Sequence, residues 1–354
     1  MSEVRTALVG IGCCATSLVQ GLDFYGRARS PGLARPLVGG YRPRDIQVVT
    51  AFDVAADKVG RTLSEAILSD SNNTIRFQKL REKGPVVVRG PTLDGLSPRM
   101  KGIVKESPER PVDVSAVLRH DRVEVLANYL PVGSDRAAAH YAKACVEAGV
   151  AFVNCMPSLI ASDPRWARRF ELAGVPTIGD DVKSQLGATV LHRTLLELFK
   201  RRGVGVDRTF QVNYGGNADF INMLDQERLT TKRISKRAAL TSVLGKPVQS
   251  RSVEAGPVGY VPWLEDRKVC DIRVEGSGFG GVPVRLDAKL EVWDSPNSAG
   301  VVVDALRCAK LALDRHESGS LEWPSSCFMK HPPRQHPEEE AEQGLDAWIN
   351  EGSA

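Results

Sequence analysis

The passage from residues 4–12 (VRTALVGIG) into residues 16–25 restricts this chain more than any other feature. An apolar run ends on glycine, and Leu18, Leu22 and Tyr25 then follow at helical spacing. A strand that turns tightly on glycine into a helix is the opening of a parallel α/β unit. At the junction, Gly10-Ile11-Gly12-Cys13-Cys14-Ala15 fits the Gly-x-Gly-x-x-Gly/Ala pattern. The first glycine permits the turn, the second lets backbone approach a pyrophosphate, and Ala15 lets the helix pack closely on the strand. A helix N-terminus also offers open N–H groups to phosphate. A second apolar strand at 46–52 (IQVVTAF) closes on Asp53, a natural partner for an adenosine ribose 2′-hydroxyl, which favours NAD over NADP. The long spacing from Gly10 to Asp53 is taken up by a Pro-, Gly- and Arg-rich loop at 30–45. A glycine turn with no ligand is the competing reading, and strand, helix and terminal acid together weigh against it.

Further along, strand 122–128, helix 135–148, strand 150–155, helix 163–173 and strand 175–179 alternate, as in a parallel sheet covered on both faces. Residues 70–111 resist assignment. From about 186 the pattern changes: a helix at 186–202, a strand at 208–214 and a basic helix near 232–243 precede alternating strands at 269–275 and 282–293. Such alternation suits an antiparallel sheet with one solvated face. Ser295–Gly300 breaks that sheet, 300–313 reads as an apolar helix, and the acidic tail after Pro332 as peripheral.

Among 354 residues, 47 basic and 43 acidic side chains leave a net charge of +4. That balance points to neither nucleic acid nor membrane, although a small positive excess helps draw in an anionic small molecule. No apolar run of membrane-spanning length occurs and the first residues lack a signal-peptide layout, so a cytoplasmic location is expected. Seven cysteines without a Cys-x-x-Cys pair suggest reduced, mostly buried thiols.

Lys232 and Lys236 are four residues apart and share one face if helical. They mark either a solvated basic helix or a place where something anionic sits between them. Asp180-Asp181 reads either as a site or as an acidic helix cap. Lys183, Arg233, His140 and His192 are read as structural or solvated.

Taken together, GDDVKSQLGAT (179–189), NYGGNADFINML (213–224), KRISK (232–236), YVPWLEDRKV (260–269), DSPNSAGVVVDALRCAKLALDR (294–315) and FMKHPP (328–333) resemble the myo-inositol-1-phosphate synthase family, bacterial type. SNNTI (71–75), RGPTLDG (89–95) and YLPVGS (129–134) match it too, and the resemblance runs from residue 4 to about 333. It implies an α/β fold: a Rossmann-type doubly wound parallel sheet with an inserted mixed α+β catalytic and tetramerisation domain. The expected division is an NAD-binding domain over 1–185, a catalytic and oligomerisation domain over 186–295, and a C-terminal segment over 296–354 returning to the first domain with a peripheral tail.

The resemblance also implies an isomerase that uses NAD without net redox change. Glucose 6-phosphate would be oxidised at C5, enolised at C6, closed by an intramolecular aldol step and reduced to inositol 1-phosphate. Lys232, Lys236, Lys268 and Lys330 match the family's active-site lysines. Lys236 and Lys268 are assigned to the C5 oxygen, and Lys232 and Lys330 to the C1 aldehyde oxygen and the phosphate. Asp181, Asp219 and Asp294 match acidic positions that orient lysines, the nicotinamide or a cation. Asn213 and Gly215 fall at the substrate, and Asn73, Ser295 and Ala299 at the cofactor. A monovalent or divalent cation and a homotetramer belong to the same expectation.

The chain departs from the family at Cys13, where an asparagine is usual, at Thr16, at Ser277 and across 316–327. Those departures raise three other readings: a paralogue closing fructose 6-phosphate to a five-membered cyclitol, a non-catalytic NAD-binding paralogue, and a dehydrogenase with net cofactor turnover.

Overall fold

A computed structural model describes residues 3–26, 31–224 and 253–351. Within them, β1 (Val4–Val9), β2 (Ile46–Asp53), β3 (Val87–Arg89), β4 (Val125–Asn128), β5 (Ala151–Asn154), β6 (Pro176–Ile178) and β11 (Gly319–Ser320) form one sheet, in the order β11-β6-β5-β4-β1-β2-β3. Every pairing in it is parallel. Successive side chains of a strand point to opposite faces. Leu8, Val125, Ala127 and Val153 pack on one side, and Ala7, Val9, Leu126 and Phe152 on the other. Both faces are therefore apolar, which is why these strands read as continuous hydrophobic runs.

One face carries α1 (Cys13–Tyr25) and a long helix, α8 (Asp294–Asp314), which packs along it. The other carries α3 (Val114–His120), α4 (Asp135–Ala148) and α5 (Pro164–Leu172) through Leu118, Tyr141, Cys145 and Phe170. A short helix, α2 (Leu63–Ala66), follows β2. Strand order reverses at β1, which has β2 on one side and β4 on the other. A doubly wound sheet opens its ligand crevice at the carboxyl ends of its strands at such a point.

The second sheet has the order β10-β9-β7-β8, from β7 (Gly205–Gly215), β8 (Val253–Tyr260), β9 (Arg267–Ser277) and β10 (Pro283–Trp293). It is mixed: β7 and β8 run parallel, while β9 is antiparallel to β7 and β10. Leu196 and Phe199 of α6 (Ala188–Arg201) pack on Cys270, Ile272 and Val274 of β9. A short helix, α7 (Ala218–Asn222), follows β7. The basic segment at 232–243, with Lys232, Arg233 and Lys236, lies outside the described residues.

Two expectations change. The second sheet ends before Ser295, as expected, but the helix expected over 300–313 already begins at Asp294. Asp, Ser and Pro are residues that first helical turns favour or tolerate, because those N–H groups need no intrahelical partner. Nor is the acidic tail peripheral. After α9 (Glu322–Phe328), α10 (Glu338–Asn350) buries Ala341, Leu345, Trp348 and Ile349 in the main core. Its acids are concentrated in the first turn, where they suit the helix dipole, and they mask an apolar stripe at helical spacing.

Candidate active site

At the end of β1, Gly10 has φ +84°, and a Cβ there would lie 2.7 Å from the carbonyl oxygen of Tyr129. Only glycine fits. Gly12 is the N-cap of α1 and brings no side-chain cap. A Cβ on it would meet nothing within 4 Å. The first-turn N–H groups of a thirteen-residue helix thus border open space, the geometry that receives a phosphate. Asp53 closes β2 with one carboxylate oxygen accepting from Ile11 N at 2.7 Å and the other from Val54 N and Ala55 N. Its carboxylate is thereby held against the glycine turn.

These residues line a cleft of about 280 Å³ at the switch point. Gly10, Gly12, Cys13, Cys14 and Asp53 form one end, and Asn213, Asp219, Lys268 and Lys330 also line it. Asp181, Asp294 and Ser295 complete the set of expected residues found there. Four others stand outside the lining. Ala15 is fully buried in the core beneath the turn, as a close helix–strand contact requires. Gly215 is a spacer, since a Cβ there would meet the Phe220 ring at 2.6 Å. Ala299, one turn beyond Ser295, packs in the core cluster and lines a separate pocket. Asn73 does not line the cleft but braces it, accepting the Cys13 thiol at 3.4 Å and donating to Gly216 O at 3.0 Å.

Each described lysine expected to be catalytic is held by an acid. Lys268, early in β9, pairs with Asp294 at the start of α8. Lys330 reaches Asp181 Oδ1 at 3.0 Å. The second pair depends on backbone pairing between 180–183 and 328–331. Lys330 N donates to Asp181 O, Lys183 N to Phe328 O, and Asp180 and His331 exchange both bonds. Asp181 is almost fully buried with φ +64°. Asp180 is no helix cap. Its buried carboxylate accepts from Asn154, Ile160 N, Ala161 N and Ser162 and locks this loop. Burial outweighs those hydrogen bonds and pushes its pKa up to about 6. Lys183, read as structural, is buried against Glu338 of α10, so the tail anchors the same loop.

Several residues here escaped the sequence reading. Asp266 is fully buried, and its carboxylate accepts from Thr74 Oγ1 at 2.6 Å, Asn217 Nδ2 at 2.8 Å and Ser295 Oγ at 2.8 Å. Burial raises its pKa. Asp294 N donates to Asp266 O. One carboxylate therefore ties the 71–75 loop, the N-cap of α7 and the start of α8 to the strand carrying Lys268. It lies within the matching segment YVPWLEDRKV but was not singled out, because an acid beside basic residues reads as solvated charge. Lys58 and Asn72 also line the cleft unanticipated.

Burial raises the Cys13 and Cys14 thiols, Cys14 to about 12. They stay protonated and behave as packed groups, not as reactive thiolates. Ser277 bonds the exposed Asp207, and neither it nor residues 316–327 line the cleft. Among the described residues, no cluster of three or more metal-ligating side chains occurs.

The sequence signature described as myo-inositol-1-phosphate synthase matches residues 187–295. An inositol-3-phosphate synthase from Corynebacterium glutamicum is 50% identical over 359 residues, covering 99% of each chain. The crystal structure of a protein named Ari2 is 36% identical, covers 99% of this chain and 100% of that one, and superposes with a TM-score of 0.79. A myo-inositol-1-phosphate synthase-related protein from Thermotoga maritima, 24% identical over 98% of both chains, shares the fold with a TM-score of 0.83. With identity of 50% over essentially the full length and its lysine–acid cleft in place, this chain belongs to the inositol-3-phosphate synthase family and is an enzyme of that isomerase type.

Proposed function

We propose that this protein converts D-glucose 6-phosphate to inositol 1-phosphate (numbered 3 in the L convention) by internal oxidation, enolisation, aldol closure and reduction. The observation that carries this reading is that one cleft joins the glycine turn and Asp53 to two acid-held lysines. The open space at Gly12, the uncapped helix and Asp53 fit a dinucleotide, which we take to be NAD. When bound, NAD supplies the acceptor for the C5 hydride and returns it at the end of the turnover.

The chain's own groups manage charge and position. Each chemical step builds negative charge on oxygen, and a fixed ammonium stabilises it without reorganising. Asp294 holds Lys268 Nζ toward the C5 oxygen in this scheme, and Asp181 holds Lys330 Nζ toward the C1 oxygen or the phosphate. Asn213, almost fully buried and bonded to Gly256 O, presents its amide as a substrate contact. Asp219, in the first turn of α7, orients a lysine or the nicotinamide. Lys232 and Lys236 are proposed to complete the set from outside the described residues. A cation could join the acids without altering these roles. The C6 proton leaves to a base, for which the substrate's own phosphate is in reach chemically.

With this function we propose the division 1–185, 186–295 and 296–354, β11 being the C-terminal segment's strand in the first sheet. A homotetramer is proposed to use the exposed edge strand β10, beside which Phe279 and Val282 are also exposed. No helix among the described residues is long and apolar enough to cross a membrane.

Incubation with glucose 6-phosphate or fructose 6-phosphate and catalytic NAD⁺, followed by NMR of the product, tests the reading. A six-membered cyclitol phosphate from glucose 6-phosphate is expected. A five-membered ring from fructose 6-phosphate, stoichiometric NADH, or no product would each replace it with one of the other readings.

A further inference from the structure

Lys58 lies in the turn after β2, five residues beyond Asp53, and is only 5% exposed. A buried ammonium is costly unless an anion or several acceptors meet it. Among the described residues, Lys58 Nζ has one hydrogen-bond partner, the neutral Asn72 Oδ1 at 3.1 Å, and no carboxylate within ion-pair distance. The nearby acids are engaged elsewhere: Asp53 accepts three backbone N–H groups and Asp57 accepts from Ser69. Lys268 and Lys330 each have a carboxylate partner; Lys58 is the described cleft lysine without one.

The geometry aims this charge at the phosphate end of the cleft. Asn72, equally buried, donates to Ile11 O at 3.0 Å and to Thr16 Oγ1 at 3.1 Å, so it is fastened to the glycine turn and the first turn of α1. Its oxygen in turn fastens Lys58. The Lys58 charge is close enough to act on the Cys13 thiol, which sits at the N-terminus of α1. A compact ammonium on a fixed stem is a suitable point-charge ligand for phosphate.

We propose that Lys58 is a phosphate ligand of the bound dinucleotide, contacting the pyrophosphate across the glycine turn. A pyrophosphate bound there supplies the anion that this buried cation lacks. It also supplies an ionic contact where Cys13 brings only a weakly polar side chain. This inference rests on the dinucleotide reading of the cleft. A ribose 2′-phosphate is the other source of the same chemistry, and the test separates the two.

Calorimetric titration of wild-type protein, Lys58→Met and Lys58→Arg with NAD⁺, NADP⁺, ADP-ribose and adenosine is the experiment. Lys58→Met is expected to bind NAD⁺ and ADP-ribose about 10- to 100-fold more weakly, the range for a charge-assisted bond. Adenosine binding is expected to stay unchanged, and Lys58→Arg to recover much of the loss. Without ligand, Lys58→Met is expected to melt no lower than wild type, because it removes an uncompensated buried charge. Equal NAD⁺ affinity in wild type and Lys58→Met overturns the inference and leaves the dinucleotide reading intact. Loss confined to NADP⁺ overturns it in favour of the 2′-phosphate. Equal weakening of adenosine, or a lower melting point with unchanged affinity, reduces Lys58 to a structural role. A wild-type protein that binds no NAD⁺ overturns reading and inference together.

Discussion

Substitution of Asp266 tests whether the cleft is assembled by one buried carboxylate. Four donors converge on it: Thr74 Oγ1 and Ser295 N on one oxygen, Asn217 Nδ2 and Ser295 Oγ on the other. Asp266→Ala strands all four. At a net 0.5–1.5 kcal/mol per bond the loss sums to about 2–6 kcal/mol. Relief of the buried charge, whose cost shows in the raised pKa, offsets part of that, leaving a destabilisation of about 2–4 kcal/mol. Asp266→Asn keeps the shape. If its oxygen faces Asn217, its amide faces Thr74, whose hydroxyl can turn to accept, and Ser295 N, which cannot; one stranded donor costs about 1–2 kcal/mol.

The kinetic consequence should exceed the thermodynamic one. Lys268 lies two residues beyond Asp266, and Asp294 donates its backbone N–H to Asp266 O. A displacement of about 1 Å in such groups can lower kcat by about 100-fold. Urea unfolding, cyclisation kinetics and NAD⁺ titration of both variants make the assay. Expected are a kcat loss for Asp266→Asn well beyond its stability loss and a smaller change in KM. An Asp266→Ala protein within 0.5 kcal/mol of wild type, a bound set by ordinary surface substitutions, with unchanged kcat would refute the argument.

Three further outcomes follow from the same geometry. Lys268→Met and Lys330→Met should each lose turnover while still binding NAD⁺, checked by product NMR and titration; retained activity in either removes it from the proposed machinery. Glu338→Ala leaves Lys183 and Arg193 buried without their shared carboxylate and should cost about 3–5 kcal/mol in urea unfolding. His192 is fully buried on Thr209, and burial lowers its pKa from 6.5 to about 4. Its imidazole is neutral in the folded state at pH 5 and protonated in the unfolded one. Stability should therefore fall as pH drops from 6.5 toward 4, by about 2 kcal/mol at pH 5, and His192→Gln should flatten that slope in pH-dependent melting.

The glycine-turn end of the cleft was legible because its parts are neighbours in the chain. Gly10, Gly12, Ala15 and the strand and helix around them are set by local sterics and periodicity, and α4 falls on Asp135–Ala148 as its pattern indicates. Local composition misled where charge hid function. The acids of α10 concealed its buried stripe, and DSPNSAG, which does end the second sheet, also begins the helix expected only from 300.

The lysine–acid pairs were another matter. The family resemblance marked Lys268, Asp294, Lys330 and Asp181, but no periodicity pairs them. Lys268 meets Asp294 because the β9–β10 register sets Lys268 against Val292, returning the chain beside its own start. Lys330 meets Asp181 across 149 positions because 328–331 pairs with 180–183. Asp266 and Asn72 sit inside matching segments without being singled out, and Lys58 lies outside those segments. Their meaning comes from burial, which turns an ordinary surface charge into one that must find a counterpart. Burial is a property of the packed sheets, so the glycine turn could be read from the chain alone, while the charges set around its cleft had to wait for the fold.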